Sequence, residues 1–228
     1  MPGANHSLLI RFCFRLLLVG VLHLTTCLLM IRSPHDDDSG LRALLIPPTD
    51  CPIPCFMGIQ LGVTTLDAAI AALKANSLIQ SVTNFSPGQY DLEFVKPFAS
   101  MRSARMPLLF EAQHGIVERI NLYDPGISLS DIVLALGKPA WIILDSTVYQ
   151  SFVTYAAFYP QYQMYVEADL LVCSLEVSTF WNTGQATSIG IETAQKYARQ
   201  VSYYPAGAYR TDEGWLQQLR DMKRAHCA

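Results

Sequence analysis

A twelve-residue pattern occurs twice in this chain, and it constrains the fold more than any other feature. Gly62-Val63-Thr64-Thr65-Leu66-Asp67-Ala68-Ala69-Ile70-Ala71-Ala72-Leu73 returns 64 residues later as Gly126-Ile127-Ser128-Leu129-Ser130-Asp131-Ile132-Val133-Leu134-Ala135-Leu136-Gly137. Each copy reads glycine, a β-branched aliphatic, a hydroxyl residue, then aspartate three positions on. That spacing matches a helix start. The hydroxyls of Thr64 and Ser128 are placed to accept from free backbone N–H groups, and Asp67 and Asp131 favour the positive end of the helix. Apolar residues follow at helical spacing: Leu66, Ala69, Ile70 and Leu73, then Leu129, Ile132, Val133 and Leu136. Gly137-Lys138-Pro139 stops the second helix.

Strand-like stretches follow each helix. They cover 90–95, 107–112 and 115–122 in the first half, and 140–144, 151–158, 161–166 and 172–178 in the second. Val153, Tyr155, Phe158, Tyr162, Met164 and Val166 carry the β-branched and aromatic bias of strands, with a hairpin turn at Pro160-Gln161. Trp215, Leu216, Leu219 and Met222 share one face of a C-terminal helix. The expected fold class is α+β: an N-terminal transmembrane helix, then two tandem units of a short helix packed on an antiparallel sheet. The units span 58–122 and 123–210, and the last helix 211–228.

The N-terminal expectation rests on Leu16 to Ile31, LLLVGVLHLTTCLLMI, sixteen residues without a formal charge. As a helix the run covers about 24 Å, against about 30 Å of hydrocarbon. Phe12, Cys13 and Phe14 lengthen it when Arg15 snorkels. Arg11 and Arg15 precede the run and Arg32 follows it, which favours a cytoplasmic N-terminus (1–15) and an extracytoplasmic remainder. Residues 16–31 are therefore read as an uncleaved signal-anchor, with the membrane as their partner. Three alternatives are weaker. A cleaved signal peptide lacks a small-x-small site near Ile31. A lipoprotein would place Thr26 before Cys27 and leave Leu28–Ile31 apolar beyond it. A buried core helix would carry a polar face.

Residues 32–57 read as a tether, rich in Ser, Pro and Asp, that ends in a cysteine pair. In an extracytoplasmic setting Cys51-Pro52-Ile53-Pro54-Cys55 is expected to close as a disulfide. A thiol redox pair is the alternative, although such sites favour Cys-x-x-Cys at a helix start. A metal site lacks further ligands nearby. Cys173 reads as a buried strand residue and Cys227 as a free thiol.

The two Gly-[Val/Ile]-[Thr/Ser]-x-x-Asp helices, and the Gly-Lys-Pro after the second, resemble the repeat of the BamE/SmpA-like and β-lactamase-inhibitor-protein-like superfamily. The run from Cys51 through Phe56-Met57-Gly58-Ile59 into Gly62-Val63-Thr64-Thr65 is similar to a family of membrane-anchored bacterial proteins of the Chloroflexota type. The resemblance covers about residues 51–170. It implies a cell-envelope location and a binding or scaffolding role, and it transfers no catalytic residue.

Chemical signals are sparse. A net charge of −3 and pI near 5.9, with no basic stripe, exclude a nucleic-acid footprint. His114 sits in a hairpin-like Gln-His-Gly, and a catalytic base there would need a partner. No G-x-S-x-G, Walker A or H-E-x-x-H pattern occurs. Asp36-Asp37-Asp38 reads as solvated linker. No cofactor and no metal are expected. Aromatics crowd between Tyr149 and Tyr165, and Tyr155, Tyr159, Tyr162 and Tyr165 form the candidate binding patch. The functional expectation is a non-enzymatic envelope protein that binds or scaffolds a protein partner. The alternatives are an extracytoplasmic hydrolase with dispersed catalytic residues and a thiol redox protein.

Overall fold

The computed structural model describes residues 17, 19–21, 38–95, 103–145, 152–171, 173, 184–203, 209–210 and 214–227. The chain falls into two units, Met1–Asp36 and Asp37–Ala228. In the first, Leu17, Val19, Gly20 and Val21 are helical, with Leu17, Val19 and Val21 exposed. The remainder of the 16–31 segment lies outside the described residues. Among the described residues, no helix is long and apolar enough to cross a membrane.

The second unit is α+β. Helix α1 (Asp38–Leu45) comes first, then a two-residue hairpin of β1 (Cys55–Phe56) and β2 (Ile59–Gln60). Helix α2 (Leu66–Ala75) leads into strands β3 (Ile79–Ser86), β4 (Gln89–Phe94), β5 (Arg105–Gln113) and β6 (Ile116–Tyr123). Helix α3 (Leu129–Leu136) leads into β7 (Trp141–Asp145), β8 (Phe152–Tyr159), β9 (Met164–Leu171) and β10 (Ser188–Glu192). Helix α4 (Ala194–Tyr203), a short β11 (Tyr209–Arg210) and helix α5 (Gly214–His226) complete it. The strands form one antiparallel nine-stranded sheet in the order β11-β7-β8-β9-β10-β6-β5-β4-β3. Each half is a helix followed by a four-strand meander, and the halves meet where β6 pairs with β10.

Matched hydrogen bonds tie each helix start to the fourth strand of its own half. Leu66 N–H donates to Gly115 O at 2.9 Å and Val117 N–H to Thr64 O at 3.0 Å. In the second half Leu129 N–H donates to Gly184 O at 3.0 Å and Ala186 N–H to Ile127 O at 3.0 Å. These bonds equate Gly115 with Gly184, an offset of 69 residues, and the same offset carries Asn121 to Gly190. Asn121 and Gly190 are also registered partners across the β6–β10 seam. A local two-fold axis relating the two central strands therefore passes between them.

The same bonds correct the first helix start. The N-cap of α2 is Thr65, whose side chain accepts from Ala68 N–H at 3.3 Å. Thr64 instead accepts from Gln60 N–H at 3.0 Å. Asp67 thus falls in the first turn, two residues after the cap. The first copy carries one residue more between its glycine and its cap, and the surplus Val63 is exposed whereas Ile127 is buried. The second start has the spacing read from the sequence. Ser128 caps α3, accepts from Asp131 N–H at 3.1 Å and donates to Asp131 Oδ2 at 2.6 Å. Gly137, at φ 83°, ends this helix with its N–H on Val133 O.

The expected tether is structured from Asp38 onward. Leu41, Leu44 and Leu45 recur at helical spacing along α1, are buried, and pack α1 against α3. Phe56 and Ile59 from the hairpin join the same core. Cys51 and Cys55 are bonded, with their Cα atoms 6.0 Å apart. A second disulfide joins Cys173 to Cys227, with Cα atoms 5.4 Å apart. Cys173 is exposed rather than a buried strand residue, and Cys227 is not free. The pairing spans 54 residues, so no local spacing could reveal it.

That long closure makes a measurable prediction. Replacing Cys173 or Cys227 with serine should lower stability by about 4 kcal/mol, from the loop entropy restored to the unfolded chain. Urea unfolding under non-reducing conditions measures the loss. Under reducing conditions the parent and the variant should unfold alike.

Candidate functional site

The sheet has two faces, and they are covered differently. One carries α1, α2 and α3 over the main core, which includes Leu92, Phe94, Leu122, Tyr155, Tyr159 and Val166. The other face is covered over the second half, where α4 brings Tyr197 edge-on to Phe158 at 6.3 Å and Phe158 lies 6.3 Å from Tyr165. In the first half α4 reaches only Glu111 and Glu118 beside the seam, through Lys196.

The seam holds the most specific contact on the second face. Tyr165 is the registered neighbour of Gly190, and its hydroxyl donates to Asn121 Oδ1 at 3.2 Å. A Cβ at Gly190 would fall under 3.0 Å from three atoms of the Tyr165 side chain. The glycine therefore exists so that the ring can lie across β10 and reach β6.

Beside it runs an ion-pair network. Arg119 and Glu192 are registered partners across the seam, and Arg119 Nε pairs with Glu192 Oε1. Arg119 Nη1 lies 2.9 Å from Glu111 Oε1, and Lys196 Nζ from α4 bridges Glu111 Oε2 at 3.3 Å and Glu118 Oε2 at 3.2 Å. Glu192 is fully buried, and its Oε2 lacks a hydrogen-bond partner among the described residues. Burial pushes the Glu192 carboxyl above the usual carboxylate range, outweighing the attraction of Arg119. Burial opposes the charge on Arg119, but Glu192, Tyr165 and Glu111 together raise it. Burial also raises the phenols of Tyr165 and Tyr197. A buried, elevated carboxyl beside two phenols is a pattern found at acid–base sites. Here the carboxyl is sealed from solvent beneath α4, so the arrangement locks the seam rather than presenting a reactive group.

The open half holds the accessible site. Phe85 from β3 is 78% exposed and Tyr123 from β6 is 42% exposed. Between them lies a cavity of about 320 Å³, lined by Phe85, Gln89, Tyr90, Asp91, Pro107, Leu108, Leu109 and Tyr123. Two tight turns join the strands of this half. Pro87-Gly88 joins β3 to β4 with Gly88 at φ 79°, and His114-Gly115 joins β5 to β6 with both residues at positive φ. The turn geometry accounts for His114. A second cavity of about 480 Å³ lies against α5, with Arg220, Lys223, Arg224 and Cys227 on its wall.

The expected tyrosine patch does not form. Tyr155, Tyr159 and Tyr165 are buried, and half-buried Tyr162 packs against the main core. Alternation does split these rings between the two faces, as strands require, but both faces are covered in this half. Burial accordingly raises the Tyr155 and Tyr159 phenols. Cys51 and Cys55 are a bonded pair flanking prolines, away from any helix start. Asp36 and Asp37 lie outside the described residues, and Asp38 opens α1. Among the described residues no three His, Cys, Asp or Glu gather as metal ligands. The exposed Phe85 and Tyr123 were not singled out from sequence. The Pro87-Gly88 turn flanked by β-branched and aromatic residues was the available signal.

No protein-family model matches this chain, and neither the curated proteins nor the solved structures hold a match to it.

The seam generates three predictions. Gly190→Ala should destabilise the fold by about 1–3 kcal/mol through overpacking. Adding Tyr165→Ala should remove most of that penalty in a double-mutant cycle of urea unfolding. Arg119→Met strands the buried Glu192 and should cost about 3–5 kcal/mol, whereas Arg119→Met with Glu192→Leu should recover much of it. The raised Glu192 carboxyl also sets a sign with pH. The folded chain holds this proton more tightly than the unfolded chain, so its contribution is full below the unfolded pKa and is lost as pH rises through the folded value. Glu192→Gln should flatten that fall in stability curves recorded across the acidic range.

Proposed function

We propose that this chain is a membrane-anchored, extracytoplasmic binding or scaffolding module of a bacterial cell envelope, built from a duplicated α+β unit. It takes a protein partner on the open half of its sheet. One observation carries the reading: an apolar groove with two exposed aromatic walls, on a face where α4 packs its aromatic contacts over the other half. Exposed aromatics around a contiguous apolar floor are the chemistry of an interface anchor. The two disulfides support an oxidising compartment. The apolar run 16–31 supports the anchor, with the N-terminus in the cytoplasm. The similarity of the helix starts to BamE/SmpA-like and β-lactamase-inhibitor-protein-like repeats is a fold-level analogy and supports a binding role.

The test uses the full chain in its own cells. A benzophenone amino acid replaces Phe85, Tyr123 or, as a control, the exposed Leu134 on α3. Photo-adducts with a protein at positions 85 and 123, and none at 134, are expected. Equal labelling at all three positions, or none, would overturn the binding face. External protease acting on spheroplasts should digest the second unit, and its full protection would overturn the extracytoplasmic placement.

A further inference from the structure

We infer that the groove takes a single amphipathic helix of a partner protein, which lays an apolar stripe between Phe85 and Tyr123 and sets a lysine or arginine on Asp91. The inference rests on the binding reading above and adds the partner's chemistry. The first argument is continuity with the interface α4 already makes. Leu109 is the registered partner of Asn121, and Tyr165 is that of Gly190. The local axis exchanges Asn121 and Gly190, so Leu109 stands where Tyr165 stands. One strand further out, Gln89 partners Leu109 and Phe158 partners Tyr165, so Gln89 stands where Phe158 stands. Phe158 and Tyr165 are the seat of α4, reached by Tyr197. The groove floor is thus the axis-related mate of a surface on which this protein already seats a ten-residue helix.

Width agrees. Tyr123 on β6 and Phe85 on β3 are separated by three strand spacings, about 14 Å at about 4.8 Å each. A helix with its side chains is about 10–12 Å across. An extended peptide needs only one spacing and would leave most of the groove open.

Charge supplies the third argument. Asp91 lines the groove half-buried, and among the described residues no cation or side-chain donor pairs with its carboxylate. Beside the seam, helix α4 meets carboxylates of β5 and β6 with a lysine, Lys196 on Glu111 and Glu118. A helix with an apolar stripe and one central cation would repeat that arrangement over Leu109, Pro107 and Asp91.

Three fluorescent peptides test this against the full-length chain in nanodiscs. One is a helix-favouring leucine-striped peptide with a lysine at the stripe's centre. The second carries glutamate there, and the third carries the lysine but two prolines that break the helix. The lysine helix should bind tightest by anisotropy. Asp91→Asn should weaken it at least about fivefold, and Asp91→Lys should reverse the preference toward the glutamate helix. Phe85→Ser should weaken every peptide that binds. Equal or tighter binding of the proline-broken peptide would overturn the helix in favour of an extended segment. Photo-adducts from position 85 to a second copy of this chain would overturn it in favour of self-association. If no peptide binds while position 85 still captures a protein in cells, the helix inference falls and the binding face stands. Loss of that capture removes both.

Discussion

The pairing of β6 with β10 is the constraint on which the rest of the structure depends. Each half is a four-strand meander with one helix, too small to bury both of its faces alone. Joining the fourth strands makes one sheet and places every residue of β10 in the interior. Polar groups forced into that interior must find partners. Asn121 does so through Tyr165, and Arg119 and Glu192 do so through each other. The seam is therefore specified by directional contacts, and a one-residue slip would separate all of them.

The axis through Asn121 and Gly190 also shows how near-equivalent positions have been put to different uses. It exchanges Arg119 with Ser188, and hence their registered neighbours Glu111 and Glu167. The carboxylate is kept on both sides, but Glu111 meets a guanidinium while Glu167 accepts from the Ser188 hydroxyl at 2.8 Å. At the axis itself one side is an amide and the other a glycine, because a single tyrosine ring occupies the space above both. A perfectly symmetric seam would need two rings in that space or none. Asymmetry here is a packing requirement.

Much of the local structure was legible because it is local chemistry. Ser128 with Asp131, Gly137 before Lys138-Pro139, and Cys51 with Cys55 each act within a few residues. So do the alternating apolar residues of β4 and β5. What was illegible depends on distance or irregularity. Strand β3 carries Ile79, Val82 and Phe85 at spacings of three, because two register shifts break its alternation. Strand β10 is five residues long with a glycine at its centre, and only its two neighbours explain that glycine. Thr65 displaced Thr64 as the cap through one surplus residue, a difference that two copies of common residues cannot resolve. Cys173 and Cys227 are partners only in the folded chain. The open groove could not be read at all, since its residues come from four strands, one of them unrecognised.

Those limits converge on the candidate site. Reading strand alternation correctly was enough to divide Tyr155 and Tyr159 from Tyr165, yet it placed the exposed aromatic rings in the wrong half. Exposure of a sheet face is decided by what packs on it, and α4 gave no clear sequence signal, with one apolar edge on a polar background. Once α4 is in place, the aromatic-rich half becomes interior and the aromatic-poor half becomes the surface. The first half keeps its few exposed rings, Phe85 and Tyr123, at the two margins of a floor made of Pro107 and Leu109. Burial of that floor would remove apolar surface from water at about 25 cal/mol per Å², and it already lies flat on a sheet fixed by the seam. A partner helix would then meet a surface that needs little reordering, which favours affinity because association loses less side-chain and loop freedom.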